Sequence, residues 1–227
     1  MIDQVPLWRA YAEQTPHTPG PAPVKQRMEW GTWEGTGPDA RILGPALSTR
    51  RVLELGCGAG HNAAHLAAVH SVDVTAIDQI DVQIHRAVDN YGAVNRLTFL
   101  VSDALRYLRC GTAPFDTVYS VFGAIGVTQP GQILPAIARR LRPHGRLIFS
   151  VPHPRRHGQS ASSGVFPRWD QLRLPDGTRR PIPRWDLDAA GWISVLHRSG
   201  FYRSNVQELS DPRYVRPTAL LISSRKR

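Results

Sequence analysis

The chain has 227 residues, of which 41% are hydrophobic, and this suits a single α/β domain with a sizeable core. Its two cysteines, Cys57 and Cys110, form no close pair, which excludes a disulfide framework and favours a reducing, cytoplasmic location. The formal net charge is +10, yet all 28 lysines and arginines except Lys25 and Lys226 are arginines, spread along the chain. We therefore attribute the positive charge to the overall amino-acid composition rather than to a nucleic-acid partner. No membrane helix or signal peptide is predicted, because no long apolar run is present.

Residues 1–48 are polar and rich in proline and aromatic side chains. The stretch PLWRAYAEQ predicts a short helix, which the following HTPGPAP ends. We predict that this segment caps the domain and covers the substrate. Trp30 and Trp33 are then expected to line the acceptor pocket, or alternatively to pack against the edge of the domain.

From residue 51 onward, apolar strands alternate with helical segments. Strands are predicted in RVLEL, VDVTAID, LTFLVSD, FDTVYSVFGAIGV and GRLIFSVP, and helices in HNAAHLAAV, DVQIHRAVDNYG and GQILPAIARRLR. This alternation predicts an α/β fold with a doubly wound, mostly parallel sheet and helices on both faces. Near the end, DLDAAGWISVLHRSGF predicts one more helix. YRSNVQEL and TALLISSR predict an antiparallel hairpin that completes a seven-stranded sheet.

Residues 152–185 interrupt this regular domain, which we assign to residues 49–227. The interruption is rich in Pro, Gly, Ser and Arg and is too long for a simple connector. It follows the fifth strand and so lies at the carboxyl edge of the sheet, where ligands bind in open α/β folds. We predict an insertion that builds the acceptor site. Its arginines indicate an anionic or phenolic acceptor, unless they are simply solvated.

The stretch RVLELGCGAGHNAAHLA, residues 51–67, reads as a strand, a glycine turn and a helix, the pattern of a nucleotide-like cofactor site. Gly58, Gly60 and Ala63 fit the G-x-G-x-x-G/A spacing of a dinucleotide-binding turn, which would make the protein an NAD(P)-dependent oxidoreductase. Gly56 extends the same series to G-x-G-x-G, with Glu54 just ahead. A dinucleotide fingerprint starts directly at the strand end, whereas two residues intervene here, and this argues against a dinucleotide.

Two acids end the next strands: Asp78 ends VDVTAID and Asp103 ends LTFLVSD. The carboxyl ends of parallel strands meet at one edge, so these acids and the glycine turn converge. The set resembles the class I S-adenosylmethionine-dependent methyltransferases from about residue 50 to 152. VLELGCGAG, VTAID, VSDAL and FDTVYSVFG stand in the places of the first four motifs. Within this family, the sequence most resembles the small-molecule branch, of the quinone and natural-product biosynthesis type.

The resemblance implies a Rossmann-like transferase that moves the methyl group of S-adenosyl-L-methionine to an oxygen, nitrogen or carbon of a small-molecule acceptor by in-line displacement. S-adenosyl-L-homocysteine would be the product, and no metal is expected. By the same resemblance, Asp78 accepts from the ribose hydroxyls, Asp103 accepts from the adenine amino group, and the backbone at Ala104 faces the ring. The Glu54 carboxylate suits the cationic amino-acid end of this cofactor. Further cofactor contacts are implied for Gly56, Cys57, Gly58, Gly60, Asn62, Gln79, Tyr119 and Ser120.

Candidate catalytic and acceptor residues follow the fourth and fifth strands. His153 in SVPHP lies just past the fifth strand, near the predicted methyl group. It is a candidate general base or, alternatively, a structural hydrogen-bonding residue between two prolines. His157, four residues further on, is a second candidate base. Phe122 and Arg155 join the two tryptophans named above as predicted acceptor contacts.

A tRNA or rRNA acceptor is the alternative within the same family, and the positive charge supports it. Against it, the fourth motif VYSVFG differs from the N-P-P-Y type associated with methylation of base amino groups, and the sequence contains no separate basic RNA-binding module. The sequence leaves the oligomeric state open between a monomer and a homodimer.

Overall fold

The computed structural model describes residues 4–156, 161 and 166–227, and most of their strands form one seven-stranded sheet. Its members are β1 (Arg51–Leu55), β2 (Asp73–Asp78), β3 (Leu97–Val101), β4 (Phe115–Val121), β5 (Leu141–Pro152), β8 (Phe201–Leu209) and β9 (Ala219–Lys226). Two further strands, β6 (Arg168–Arg173) and β7 (Arg179–Arg184), pair only with each other. The helices are α1 (Val5–Gln14), α2 (His61–His70), α3 (Asp81–Tyr91), α4 (Ala104–Cys110), α5 (Pro130–Arg140) and α6 (Ala189–Arg198).

The strand order of the large sheet is β3-β2-β1-β4-β5-β9-β8. Strands β1 to β5 run parallel to one another, whereas β9 is antiparallel to both of its neighbours, β5 and β8. The sheet is therefore doubly wound from β1, and a C-terminal antiparallel hairpin completes it. The predicted fold class is confirmed in its strand number, its mostly parallel order and its terminal hairpin.

Helix α4 and the two strands of the β6–β7 hairpin were not predicted from the sequence. Helix α4 is only seven residues long, too short to show a periodic pattern, and the Asp103 carboxylate caps it by accepting from the backbone N–H of Arg106 at 2.8 Å. The insertion 152–185 contains the β6–β7 hairpin, where the sequence indicated an irregular segment. Prolines at 181 and 183 argue against a strand in the sequence of β7. The two-stranded ribbon tolerates them because alternate N–H groups of an edge strand point away from its partner.

The core lies on both faces of the sheet. On one face, α4, α5 and α6 pack through a cluster that includes Leu134, Phe149 and Trp192, and the last two rings meet edge-on at 5.0 Å. On the other face, α2 and the N-terminal segment pack through a cluster that includes Trp30 and Tyr119. The described part of the chain contains no helix long and apolar enough to cross a membrane.

The order of the sheet reverses between β1 and β4, and the turns that leave these two strands touch through glycines. Gly56 has a φ of 75°, and a Cβ added to it would lie 2.7 Å from the Cα of Gly123. A Cβ on Gly123 would lie 2.3 Å from the carbonyl oxygen of Leu55. Such distances exclude any side chain there, so both glycines are needed for the turns to close. Ligand crevices of open α/β sheets form at this kind of reversal.

We predict that Gly123→Ala destabilises the protein by about 2–3 kcal/mol, because the added methyl group must displace backbone atoms. The matched control is Gly131→Ala in the first turn of α5, where an added Cβ meets nothing within 4 Å. Alanine favours a helix over glycine, so this control should be unchanged or up to roughly 1 kcal/mol more stable. Chemical denaturation measures both, and equal midpoints for the two variants would contradict the close approach.

Candidate functional site

A cavity of about 1040 Å³ lies at the carboxyl edge of the parallel strands. Its floor is formed by the turns after β1 and β4 and by the ends of β2 and β3. The structure brings most of the predicted cofactor residues to this cavity: Glu54, Gly56, Cys57, Gly58, Asn62, Asp78, Gln79, Asp103 and Ala104. Phe122, predicted as an acceptor contact, also lines it.

Glu54 places a carboxyl group almost completely out of water at the base of the cavity, with 2% of the residue exposed. Burial raises its pKa to about 8, and the nearby Asp78 carboxylate acts in the same direction. The Tyr119 hydroxyl lies close enough to oppose this rise, but its oxygen does not reach hydrogen-bond geometry with Glu54. Oε2 of Glu54 has no hydrogen-bond partner among the described residues. An uncompensated buried carboxyl of this kind favours a cation in the cavity.

Asp78 fixes the glycine turn to the end of β2. Its Oδ2 accepts from the backbone N–H of Gly58 at 3.0 Å, and its Oδ1 accepts from that of Ile80 at 2.9 Å. Gly58 has a φ of 53°, and a Cβ added there would meet nothing within 4 Å, so its Cα borders open space in the cavity. Because a carboxylate has about four acceptor positions, Asp78 retains capacity to accept from a ligand hydroxyl.

Three predicted cofactor residues lie behind the cavity wall rather than on it. Tyr119 and Ser120 are adjacent on β4, so their side chains point to opposite faces of the sheet. Tyr119 is fully buried, and the Ser120 hydroxyl donates to the Leu55 carbonyl at 2.7 Å. Gly60 faces β3, where an added Cβ would lie 2.7 Å from the Phe99 ring. These residues support the cavity, and none of the three lines it in the described structure.

The two tryptophans predicted to close over the pocket pack elsewhere. Trp30 is fully buried, meets Tyr119 edge-on at 6.1 Å and donates its indole N–H to the Pro38 carbonyl. Trp33 is partly exposed, and the Arg213 guanidinium covers its ring at 4.8 Å. The alternative that both tryptophans pack against the domain edge describes these positions better.

His153 is buried beside the cavity wall, and its ring does not line the cavity in the described structure. Its Nδ1 accepts from the backbone N–H of Arg155 at 3.1 Å, so Nε2 carries the proton and donates to the Glu208 carboxylate at 3.2 Å. Because the Nδ1 lone pair already accepts a hydrogen bond, His153 fits the alternative of a structural hydrogen-bonding residue and is not placed to act as a base. Arg155 is exposed, and the adjacent Arg156 lines the cavity instead. His157 lies outside the described residues.

Residues 15–36, which we call the N-terminal strap, are tied to α2 and α3 beside the cavity. Asn62 pairs with the backbone of Glu29 in both directions, since its amide oxygen accepts at 2.9 Å and its amide nitrogen donates at 3.0 Å. His65 contacts the Lys25 carbonyl at 2.8 Å, and Tyr91 donates to that of Pro23. Asn62 was predicted as a cofactor contact. Its two amide bonds to the strap show a second role that spacing alone does not reveal.

The roof of the cavity is formed by α1 and by the β6–β7 pair, which we call the roof hairpin. Trp8 and Tyr11 line the cavity from α1, and the guanidinium of Arg184 on β7 lies 5.7 Å from the Trp8 ring centroid. Apart from the aromatic character of the first segment, no sequence pattern predicted that these residues would form part of the site. Their positions depend on contacts between segments more than 170 residues apart in the chain.

Four charged residues join the roof hairpin to the body of the domain. Arg156 binds both Asp170 on β6 and Asp186 ahead of α6, and Arg184 Nε lies 3.0 Å from Asp170. Burial acts to raise the pKa of Asp170, but Arg156 and Arg184 lower it overall. The two arginines and two carboxylates neutralise one another, and three of the four line the cavity. Among residues 4–156, 161 and 166–227, no group of His, Cys, Asp or Glu is arranged to hold a metal ion.

Comparison with known proteins identifies the family. Residues 52–145 match the protein family described as a methyltransferase domain. O-methyltransferase rstn1 of Aspergillus nomiae is 33% identical over 175 residues, which are 71% of this chain and 69% of the relative. The chain belongs to the class I S-adenosylmethionine-dependent methyltransferases. O-methyltransferase cnsE of Penicillium expansum is 32% identical over 189 residues, which are 81% of this chain and 62% of that relative.

A solved S-adenosylmethionine-dependent methyltransferase from Mesorhizobium loti shares the fold. Its TM-score is 0.59 at 22% identity, and the match covers 82% of this chain and 95% of that one. Family membership excludes the dinucleotide oxidoreductase weighed from the glycine spacing. The methyl donor of the family carries an ammonium, a sulfonium and two ribose hydroxyls. The orphaned oxygen of Glu54, the open space beside Gly58 and the accepting carboxylate of Asp78 fit such a molecule.

Glu54 should make the stability of this methyltransferase depend on pH in a predictable direction. Between its ordinary pKa of 4.5 and about 8, folded Glu54 holds a proton that the unfolded chain releases. The free energy of unfolding therefore falls as the pH rises through this window. Glu54→Gln is neutral throughout. It should match wild type near pH 5 and exceed it at pH 9 by on the order of 3–5 kcal/mol, roughly 10 °C in Tm.

Thermal unfolding from pH 5 to pH 9 measures this difference. Glu13→Gln, which changes an exposed carboxyl on α1, is the matched control and should follow the wild-type curve. Parallel curves for wild type and Glu54→Gln would show that Glu54 is ionised in the folded protein, against the prediction.

Asn62→Ala should release the N-terminal strap, because it removes both hydrogen bonds to the Glu29 backbone. We expect a stability loss of about 1–2 kcal/mol and faster amide exchange confined to residues 20–36. Hydrogen exchange with mass spectrometry measures the local effect, with the exposed Gln26→Ala as control. Unchanged protection at Glu29 would argue against this anchoring.

Proposed function

We propose that this methyltransferase transfers the methyl group of S-adenosylmethionine to a hydroxyl oxygen of a small organic acceptor. The observation that carries the proposal is the continuity of the cavity, which joins the acidic floor at Glu54 and Asp78 to an aromatic and charged roof at Trp8, Tyr11 and Arg184. A cofactor on the floor leaves the space below the roof for a second molecule. Cavities that enclose both reactants exclude water and align them, which is the main contribution an enzyme makes to a displacement at carbon.

The floor residues would hold the cofactor by charge and hydrogen bonds. S-adenosylmethionine supplies a methyl group on a positively charged sulfur; the acceptor oxygen bonds to that carbon as the carbon–sulfur bond breaks, and the hydroxyl proton leaves to solvent or a base. Glu54, once ionised, would bind the ammonium of the amino-acid end, which lowers the cost of its own burial. Asp78 would accept from the ribose hydroxyls, while it continues to orient the glycine turn. Asp103 and the backbone of Ala104 would border the adenine.

The roof residues would orient the acceptor. Trp8 and Tyr11 meet edge-on with ring centroids 6.0 Å apart and offer apolar surface with a hydroxyl. Phe122 faces the same cavity from the turn after β4. Arg156 and Arg184 already face carboxylates, which reduces their capacity for a further anion. This pairing supports a neutral or phenolic acceptor over a strongly anionic one.

The choice of oxygen as the methylated atom rests on relatives whose names state O-methylation, rstn1 of Aspergillus nomiae and cnsE of Penicillium expansum. We extend this to a role in natural-product biosynthesis. A tRNA acceptor, which the net charge of +10 left open, is less compatible with a roofed cavity in which Arg156 and Arg184 already face acids.

Asp78→Ala should weaken binding of S-adenosylhomocysteine on the order of 100-fold, because it removes a charged acceptor of two ribose hydroxyls. Isothermal titration calorimetry measures the dissociation constant. Asp73→Ala, at the exposed start of the same strand, should bind as wild type does. Equal affinity for Asp78→Ala and wild type would remove Asp78 from the cofactor site.

The acceptor class is tested by mass-spectrometric detection of S-adenosylhomocysteine and methylated product with S-adenosylmethionine and a panel of phenols, aliphatic alcohols, amines and bulk tRNA. We expect turnover with hydroxylated aromatic compounds. Methylation of tRNA at low salt, or of amines alone, would contradict the proposed acceptor while it left the cofactor assignment intact.

A further inference from the structure

A second pocket of about 320 Å³ lies at the opposite edge of the sheet from the cavity just described. Its charged lining consists of Arg50, Arg142, Arg146 and Arg225 with one carboxylate, Asp116; we call this group the arginine pocket. Arg50 directly precedes β1, and Asp116 lies near the start of β4. Arg146 lies within β5, and Arg225 lies near the end of the antiparallel strand β9. Four guanidinium groups thus converge where the amino ends of the central strands meet.

The positive charge of the arginine pocket is not neutralised within the described structure. Asp116 accepts from Arg142 at 2.9 Å, has Arg50 at 4.0 Å and also accepts from the backbone N–H of Arg51, which uses both of its oxygens. Arg146 and Arg225 stand directly opposite each other on antiparallel strands. Like charges in that position destabilise a sheet. Burial, followed by the charges of Arg225 and Arg50, lowers the pKa of Arg146.

The guanidinium groups are also held in place. Arg50 donates from Nε to the Pro45 carbonyl at 2.8 Å, and Arg146 donates from Nη1 to the Ile42 carbonyl at 3.1 Å. Their Nε atoms lie 3.3 and 3.4 Å from the point where a Cβ on Gly44 would stand, so both side chains flank this glycine. Fixed donors around a concave surface are preorganised for an oxyanion, and arginine forks match phosphate oxygens.

We propose that the arginine pocket binds a phosphate dianion, either free or carried as a phosphomonoester on a small molecule. Four arginines and one aspartate leave a net charge of +3, enough to neutralise the two negative charges of a phosphate dianion, and the concave shape admits a small anion. Clustered arginines destabilise a protein when no group in the chain offsets their charge. Such a cluster is therefore expected where a ligand supplies the negative charge. The site shares no lining residue with the catalytic cavity, so it does not depend on the methyl-transfer proposal.

The test compares wild type with Arg225→Gln and Arg142→Gln in thermal unfolding and calorimetric titration, at constant ionic strength. Inorganic phosphate and phenyl phosphate are the probes, and sodium chloride is the reference salt. We expect saturable stabilisation of wild type and a roughly tenfold or larger loss of phosphate affinity in each variant. Without phosphate, Arg225→Gln should be at least as stable as wild type, because the opposed arginine is relieved of a like charge. Arg142 is half exposed, so its variant keeps the test valid if Arg225→Gln folds poorly.

The control Arg109→Gln removes an exposed arginine on α4 and should leave phosphate binding unchanged. Binding of S-adenosylhomocysteine should be the same in all variants. Comparison of the two probes decides whether the free ion or the ester is preferred, and either preference supports the pocket. Absence of saturable binding at constant ionic strength, or an equal loss in Arg109→Gln, would overturn the proposal. An Arg225-dependent response to bulk tRNA without any response to phosphate would also overturn it, in favour of a polynucleotide surface.

Discussion

The contact between the turns that leave β1 and β4 is the constraint on which the rest of the site depends. Gly56 and Gly123 approach so closely that neither can carry a side chain. The backbone groups around them are satisfied internally: the Leu55 carbonyl accepts from Ser120, and the Ile77 carbonyl accepts from the N–H groups after β1. With the turn fixed in this way, Gly58 faces the cavity and its N–H points at the end of β2. The crevice is therefore a consequence of strand order and of backbone packing, before any ligand is considered.

Glu54 shows that this arrangement is held at a cost in stability. A carboxyl group with an unpartnered oxygen and almost no exposure destabilises the folded chain wherever it is ionised. Because burial raises its pKa to about 8, the protein avoids much of that cost by holding a proton near neutral pH. A cation bound in the cavity would reverse the balance, since it favours the ionised form. Binding of such a ligand and loss of the proton are thus coupled, as expected for a site whose charge is completed from outside.

The sequence allowed the floor of the cavity to be predicted but not its roof. Residues that end parallel strands, such as Glu54, Asp78 and Asp103, converge because strand direction alone fixes the edge at which they lie. Residues inside a strand, such as Tyr119, depend on which face they point to, and the family motif does not specify this. The roof contacts, such as Arg184 with Trp8, join distant parts of the chain through charge pairing and ring packing, for which the one-dimensional pattern carries no periodic signal.

The positive residues behind the net charge of +10 are balanced by acids to different extents at the two edges of the sheet. At the carboxyl edge, Arg156 and Arg184 face Asp170 and Asp186, so the charge of these two arginines is balanced where they hold the roof hairpin. At the amino edge, one carboxylate faces four arginines, so a local surplus of positive charge remains among the described residues. Net charge by itself left a polyanionic acceptor open, but the arginine pocket shares no lining residue with the cavity proposed for methyl transfer. Under the two proposals, shape and aromatic contact would select the acceptor at one edge, while anion binding would be a separate property of the other.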